Sequence, residues 1–347
     1  MPPLISILLP TWNPGRFLEE RLHSIFQQTV SDWELVIVDS QSTDGSLSLL
    51  KKLAETDPRV SFFERPRGLY QAWNFAIQQA KGKYIYIATA DDTMTDDALQ
   101  KMSEALEEHP ECDLCDTRLK LIDAESRELN DFEDGYVAHC WHLAYPRERK
   151  HIRKRYADFF AHFGGKTVYL SATQLLIRKT LFEKTGGFPE DFGPSADYMW
   201  GIRAAFYADV IYLPEKLATW RIHQAQATSG NMDVINKNYS LMYQMAQVIL
   251  QEGIPEEIAA KARKIARLAA FKGILLPAKV HKHSLYKKLP LLFRAFWNMP
   301  FLTLEFVFTL SYYWCYIPRS FVFIYTYDKM IYRHTKHFYC DKVLDCK

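Results

Sequence analysis

No excess of either charge marks this sequence: 43 Lys and Arg stand against 41 Asp and Glu, a formal net charge of +2. Without a basic field there is little support for nucleic-acid binding. The opening residues, Met1-Pro2-Pro3-Leu4, lack both a basic stretch and a long apolar one, so no signal peptide is expected. Six cysteines in 347 residues do not make a disulfide framework. Cys112 and Cys115 form a C-x-x-C, but Cys140 has no such partner. Reduced cytosolic thiols are therefore expected rather than a zinc site. The chain has no G-x-x-x-x-G-K-[ST] and no G-x-G-x-x-G after its first strand, which argues against a P-loop and a Rossmann dinucleotide site. It has no internal repeat and no low-complexity tract.

What the chain does carry is apolar. It is 48% hydrophobic and 24% charged, a globular composition. The apolar residues fall in short runs. Leu4 to Leu9, Glu34 to Val38, Val60 to Glu64 and Tyr84 to Ile87 read as strands. Between them Phe17 to Gln28, Ser46 to Glu55 and Leu69 to Ala80 show helical spacing. This alternation implies an α/β fold, a mostly parallel sheet with helices on both faces. Further strands are expected within Cys112 to Ile122, over Gln174 to Arg178 and over Val210 to Leu213, with a helix over Ala196 to Tyr207. From Val234 onward strand signals fade, and Met242 to Leu250 and Pro255 to Leu275 look helical.

The most informative stretch is Lys83 to Met94, KYIYIATADDTM. A run of β-branched and aromatic residues stops at two adjacent carboxylates, Asp91 and Asp92. Such a run reads as a strand buried on both faces. In open α/β sheets, ligands bind beyond the carboxyl ends of these strands. Two carboxylates there suit a divalent cation, and the cation suits a phosphate-bearing substrate. The other N-terminal strands also end in polar clusters: Thr11-Trp12-Asn13, Asp39-Ser40 and Arg65-Pro66-Arg67-Gly68. Side by side on one edge, they describe a crevice for a charged, nucleotide-like ligand.

These residues carry a resemblance. Leu8-Leu9-Pro10-Thr11-Trp12-Asn13, then Val36-Ile37-Val38-Asp39 with Ser42-Thr43-Asp44-Gly45-Ser46, resembles the opening of the family 2 glycosyltransferases with the GT-A fold. The helix Leu69 to Ala80 with Asn74, followed by Lys81-Gly82-Lys83-Tyr84-Ile85, resembles the family's next segment. Ala90-Asp91-Asp92 falls where the family carries its D-x-D metal motif. Gly186-Gly187-Phe188, then Asp197-Tyr198-Met199-Trp200, resembles the acceptor segment with its catalytic carboxylate. Trp220-Arg221-Ile222-His223, followed by Ser229, looks like the closing element.

The resemblance implies a nucleotide-sugar donor, a glycan or lipid-linked acceptor, inversion at the anomeric carbon and a divalent cation, Mn2+ or Mg2+. It casts Asp197 as the catalytic base, and Asp91 and His223 as metal ligands. It casts Thr11, Asn13, Asp39, Arg67, Asn74, Asp91, Asp92 and Arg221 as nucleotide-sugar contacts. The chemistry is consistent: a leaving diphosphate develops charge that a metal stabilises, and an acceptor hydroxyl needs a base. Helix capping is the competing role for Asp197. Three positions depart from the family. Thr89 replaces the first Asp of D-x-D and is a poorer metal ligand, Ala196 replaces the usual Glu before the catalytic Asp, and Ser40 replaces the second Asp of a D-D-G-S turn. Each removes a negative charge from the crevice, and Thr89 weakens the expected metal dependence. Two alternatives stay open, a polyprenyl-phosphate sugar synthase and a non-catalytic nucleotide-sugar-binding protein.

The expected organisation is a catalytic domain over 1–230, with a nucleotide-sugar half at 1–120 and an acceptor half at 121–230. A helical C-terminal extension follows over 231–347. Within it, Phe301 to Ile317 is an apolar, aromatic run near the lower limit for a spanning helix. Basic residues flank it, among them Lys287, Lys288, Arg294, Arg319 and Lys329. Such flanks, with Trp297 and Trp314, suit a segment over 285–332 lying in a membrane interface. A core helix and a true span are the competing readings. The expected location is cytoplasmic, peripheral on the inner face of a membrane. The basic run Arg147 to Arg155 reads as a solvated surface or mobile loop, or as a contact for an anionic acceptor.

Overall fold

Seven consecutive buried residues, Ile5–Thr11, form the central strand β1. The computed structural model describes residues 2–129, 147–163, 168–224 and 255–263. In chain order the elements are α1 (Leu18–Phe26), β2 (Trp33–Asp39), α2 (Ser46–Thr56), β3 (Val60–Glu64), α3 (Leu69–Gln79) and β4 (Tyr84–Ile87). Then come α4 (Ala98–Glu108), β5 (Leu114–Ile122), β6 (His151–Arg153), α5 (Ala157–Phe163), β7 (Leu175–Arg178), α6 (Leu181–Thr185), α7 (Ala196–Tyr207) and β8 (Val210–Arg221). The eight strands form one sheet in the order β3-β2-β1-β4-β7-β5-β8-β6. β3, β2, β1 and β4 are mutually parallel, as are β5 and β8, while β7 and β6 run antiparallel to their neighbours.

Strand alternation divides the core in two. Ile5, Ile7 and Leu9 of β1 face one side, packing with Leu18 and Ile25 of α1, Leu50 of α2, and Leu99, Met102 and Leu106 of α4. Leu8, Val36, Val38, Ile85 and Ile87 face the other, with Tyr70, Trp73 and Ala76 of α3 and Trp200 and Ala204 of α7. Burial on both faces is why these strands are unbroken apolar runs in the sequence.

Several elements differ from expectation. α4 has no counterpart among the expected elements, and β8 extends to Arg221 rather than ending at Leu213. The basic run Arg147 to Arg155 is not simply a solvated loop. Its centre is the buried edge strand β6, where Arg153 is 0% exposed. The boundary expected at residue 120 falls inside β5. Cys112 and Cys115 are free, buried thiols. Residues 256–263 are helical, within the helix expected from Pro255. The rest of the extension, including 285–332, lies outside the described residues. Among the described residues no helix is long and apolar enough to cross a membrane.

Candidate active site

Parallel register fixes which strand ends are neighbours. Thr11 pairs with Asp39, and Asp39 with Glu64. β4 lies on the other flank of β1, with the backbone N–H of Ala88 donating to Leu8 O. The polar strand ends therefore share one edge. β5 and β8 bring Ile122 and Arg221 to the same edge, and antiparallel β7 starts there after a turn over Ser171–Gln174.

The β1 and β2 loops are clasped together. Asp39 is fully buried; its Oδ2 accepts from Thr11 Oγ1 at 2.7 Å and Ser42 Oγ at 2.6 Å, and its Oδ1 from the Ser42 N–H at 2.7 Å. Asn13 adopts φ 47°, a left-handed conformation that Asn tolerates. Its N–H donates to Ser42 Oγ at 2.8 Å, and its Oδ1 accepts from the Thr43 N–H at 2.7 Å. Thr11, Asp39 and Asn13 thus come together at this edge.

Asp91 and His223 meet with Nε2 2.9 Å from Oδ2, and both are partly buried. Beneath them Asp92 is buried. Its Oδ1 accepts from the Arg221 N–H at 2.7 Å, and its Oδ2 from Thr89 Oγ1 at 2.5 Å and, at the long distance of 3.5 Å, from Ser171 Oγ. Burial, and then the charge of Asp91, pushes the Asp92 carboxyl up to about 7. The Arg221 guanidinium donates to Asp91 O, Asp123 O, Ser126 Oγ and Glu20 Oε2 and lies over the Phe17 ring. Its side chain is 0% exposed. Rather than a diphosphate contact, Arg221 is a buried lock on the Asp91–Asp92 turn, because its donors are already committed to protein acceptors.

Asp197 opens α7. Its Oδ1 accepts from the Tyr198 N–H at 2.7 Å, and the Tyr70 hydroxyl also bonds it. Burial pushes its carboxyl up to about 6, and these hydrogen bonds pull the other way. It lines a cavity of about 20 Å³ with Ile87, Tyr169, Ser171 and Trp200, enough for one water. Capping and an outlook onto the cavity therefore coexist in one side chain.

The two remaining expected donor contacts, Asn74 and Arg67, have protein partners of their own. Asn74 gives both ends of its amide to the segment after Gly187. Its Nδ2 donates to Phe188 O at 2.9 Å and Glu190 Oε1 at 3.0 Å, and its Oδ1 accepts from the Phe188 N–H at 2.8 Å. It is a clamp between α3 and that segment. Arg67 is exposed and lies 3.5 Å above the Trp12 ring, which is itself 47% exposed. Sequence reasoning assigned no role to Trp12, Ser171, Tyr70 or Glu20. A Trp among polar residues at a strand end is the sequence signal that could have found the first.

The pattern that defines glycosyl transferase family 2 matches residues 6–185. The chain belongs to that family. The matched region of this family 2 chain contains Asp91 and Asp92 but stops before Asp197, Arg221 and His223. The chondroitin synthase of Pasteurella multocida is 36% identical over 238 residues, covering 68% of this chain and 22% of that protein. The Bacillus subtilis protein TuaG, described as a teichuronic acid biosynthesis glycosyltransferase, is 31% identical over 132 residues, covering 38% of this chain and 52% of its own. The chain thus spans about half or less of these relatives' lengths. S. aureus TarS 1-349 in complex with UDP-GlcNAc superposes with a TM-score of 0.62 at 16% identity, over 96% of this chain and 92% of that one. Mannosyltransferase PcManGT from Pyrobaculum calidifontis, in complex with GDP-Man and Mn2+, gives 0.55 at 19% identity, over 97% and 88%. At such identities the likeness shows the fold, which is GT-A.

Proposed function

We propose that this protein transfers a sugar from a nucleotide-sugar donor to a hydroxyl of a glycan or lipid-linked acceptor, with inversion, in cell-surface polysaccharide synthesis. One observation carries the reading: Ser171 lines the Asp197 cavity and also contacts Asp92. A basic carboxylate and an acidic turn suited to the cation of a diphosphate therefore share one wall. Trp12 and Arg67 offer an exposed planar face at the same edge, which suits a nucleobase. The family relatives and the nucleotide-sugar complexes of the GT-A neighbours support the donor class.

Asp91 and His223 fit a divalent cation. An imidazole nitrogen and a carboxylate oxygen are both suitable donors for such an ion, and here they lie 2.9 Å apart and only partly buried. Among the described residues no group of three or more His, Cys, Asp and Glu side chains could hold a metal, so donor phosphates and water would complete the shell. Held there, the cation would supply Lewis-acid stabilisation of the leaving diphosphate. In the transfer, the acceptor oxygen attacks the anomeric carbon and forms the new C–O bond. The bond to the diphosphate oxygen breaks, and the nucleoside diphosphate leaves with the electron pair. The acceptor proton passes to the Asp197 carboxylate. Peripheral membrane contact through 285–332, a segment outside the described residues, is part of the proposal and would suit a lipid-linked acceptor.

The test is a thermal-shift screen of UDP- and GDP-sugars with and without Mn2+, followed by an assay of nucleoside diphosphate release. Saturating donor should raise Tm, and release should depend on Asp197. No binding and no release with any donor would sink the proposal.

A further inference from the structure

Arg153 occupies the edge strand β6, yet its side chain is 0% exposed. It extends inward over the Tyr212 ring of β8, 5.4 Å from the centroid, and ends between two carboxylates. Its Nε donates to Asp158 Oδ1 at 2.8 Å and Oδ2 at 2.9 Å, and its Nη2 donates to Asp116 Oδ2 at 2.6 Å. Both carboxylates are buried. Each passes the connection on. Asp158 Oδ2 accepts from the Tyr169 hydroxyl at 2.9 Å. Asp116 Oδ1 accepts from Gln174 Nε2 at 2.6 Å. Gln174 Oε1 in turn accepts the N–H groups of Leu170 at 2.6 Å and Ser171 at 3.2 Å.

Tyr169 and Ser171, the two ends of this relay, both line the Asp197 cavity, and Ser171 also touches Asp92. A planar guanidinium can hold two carboxylates in one fixed relation, whereas an ammonium is a point charge without that fork. We infer that Arg153 is a positioning residue for the acceptor side of the site: through Asp158–Tyr169 and Asp116–Gln174 it sets the wall against which an acceptor hydroxyl meets Asp197. The inference rests on the glycosyl-transfer reading for its kinetic consequence, but not for its structural one. It also explains why a basic run contains one arginine that solvent never reaches.

The test compares Arg153→Lys and Tyr169→Phe with the wild type. Tyr169→Phe removes only the hydroxyl that reaches Asp158, so it preserves the fold if Arg153→Lys does not. UDP binding with Mn2+, measured by calorimetry, should stay within about twofold. Turnover of the donor accepted by the wild type should fall about tenfold or more, since small misplacements near reacting atoms are costly. Turnover that falls only in proportion to UDP binding, or does not fall in either variant, overturns the inference. Hydrogen exchange gives a readout independent of turnover. In Arg153→Lys the amides of Leu170 and Ser171 should exchange faster while those of β1 and β2 are unchanged. Unchanged exchange at 170–171, or equal acceleration in β1 and β2, overturns it as well. A wild type that turns over no donor defeats only the glycosyl-transfer reading, and the exchange result still decides this one.

Discussion

His223 Nε2 lies 2.9 Å from Asp91 Oδ2, a contact between residues 132 positions apart. If the pair holds a cation for the donor diphosphate, His223→Ala and Asp91→Asn should each weaken UDP binding about tenfold or more in Mn2+ and hardly at all in EDTA. Titration calorimetry in the two buffers checks this. Equal losses in both would make the contact structural instead.

Thr89 stands where a second carboxylate ligand was expected, and its Oγ1 donates to Asp92 Oδ2. Thr89→Asp, which would restore D-x-D, should therefore not tighten Mn2+ binding. It replaces a donor with a like charge beside a buried carboxylate, at a cost of about 1–3 kcal/mol. Denaturant unfolding and Mn2+ titration of the variant read the two effects. Tighter Mn2+ at unchanged stability would contradict this account.

Asp197 titrates at about 6 because burial disfavours its charge. As a base it must be ionised, so kcat/KM should rise through about pH 6 and level above it. Asp197→Asn should lower kcat at least about a hundredfold and abolish that limb. The sign for stability is opposite. A folded-state pKa above the ordinary value of 3.8 means the folded protein binds this proton more tightly. The contribution is complete below about pH 4 and is lost as pH rises through about 6. At pH 7.5 Asp197→Asn should therefore be the more stable protein, by something on the order of 2 kcal/mol. Urea unfolding of both proteins at pH 4 and 7.5 measures the change: the advantage of Asp197→Asn should be present at pH 7.5 and gone at pH 4.

β1, β2 and β4 were legible because burial on both faces leaves unbroken apolar runs, and their shared edge follows from parallel pairing. β6 was not legible. It is a three-residue strand, His151–Arg153, and its arginine is neutralised by carboxylates 37 and 5 positions away. Motif order picked out Asp91, His223, Arg221 and Asn74 along the chain, but could not say what each touches. Arg221 is consumed by acceptors from α1 and the turn after β5, and Asn74 by a segment 114 residues on. A hydrogen-bonding side chain advertises its capacity in sequence, whereas its partner is set by how the two cores close around it.

Trp12 and Asn74 should give opposite phenotypes. Trp12 is 47% exposed, with Arg67 stacked 3.5 Å above it, so it contributes little to folding. If its ring receives the nucleobase, Trp12→Ala should cost about 1–3 kcal/mol of UDP affinity with almost no change in Tm. Arg67→Ala should cost less, about 0.5–1 kcal/mol, the scale of an exposed cation–π contact. Asn74 is partly buried, and its amide is bonded at both ends to the 188–190 segment. Asn74→Ala strands the Phe188 N–H and should cost about 1–3 kcal/mol of stability while leaving UDP affinity within about twofold. Differential scanning calorimetry and UDP titration on the three variants separate the roles. If UDP affinity falls in Asn74→Ala at unchanged Tm, Asn74 touches the donor after all, and the clamp described above opens when the site is occupied.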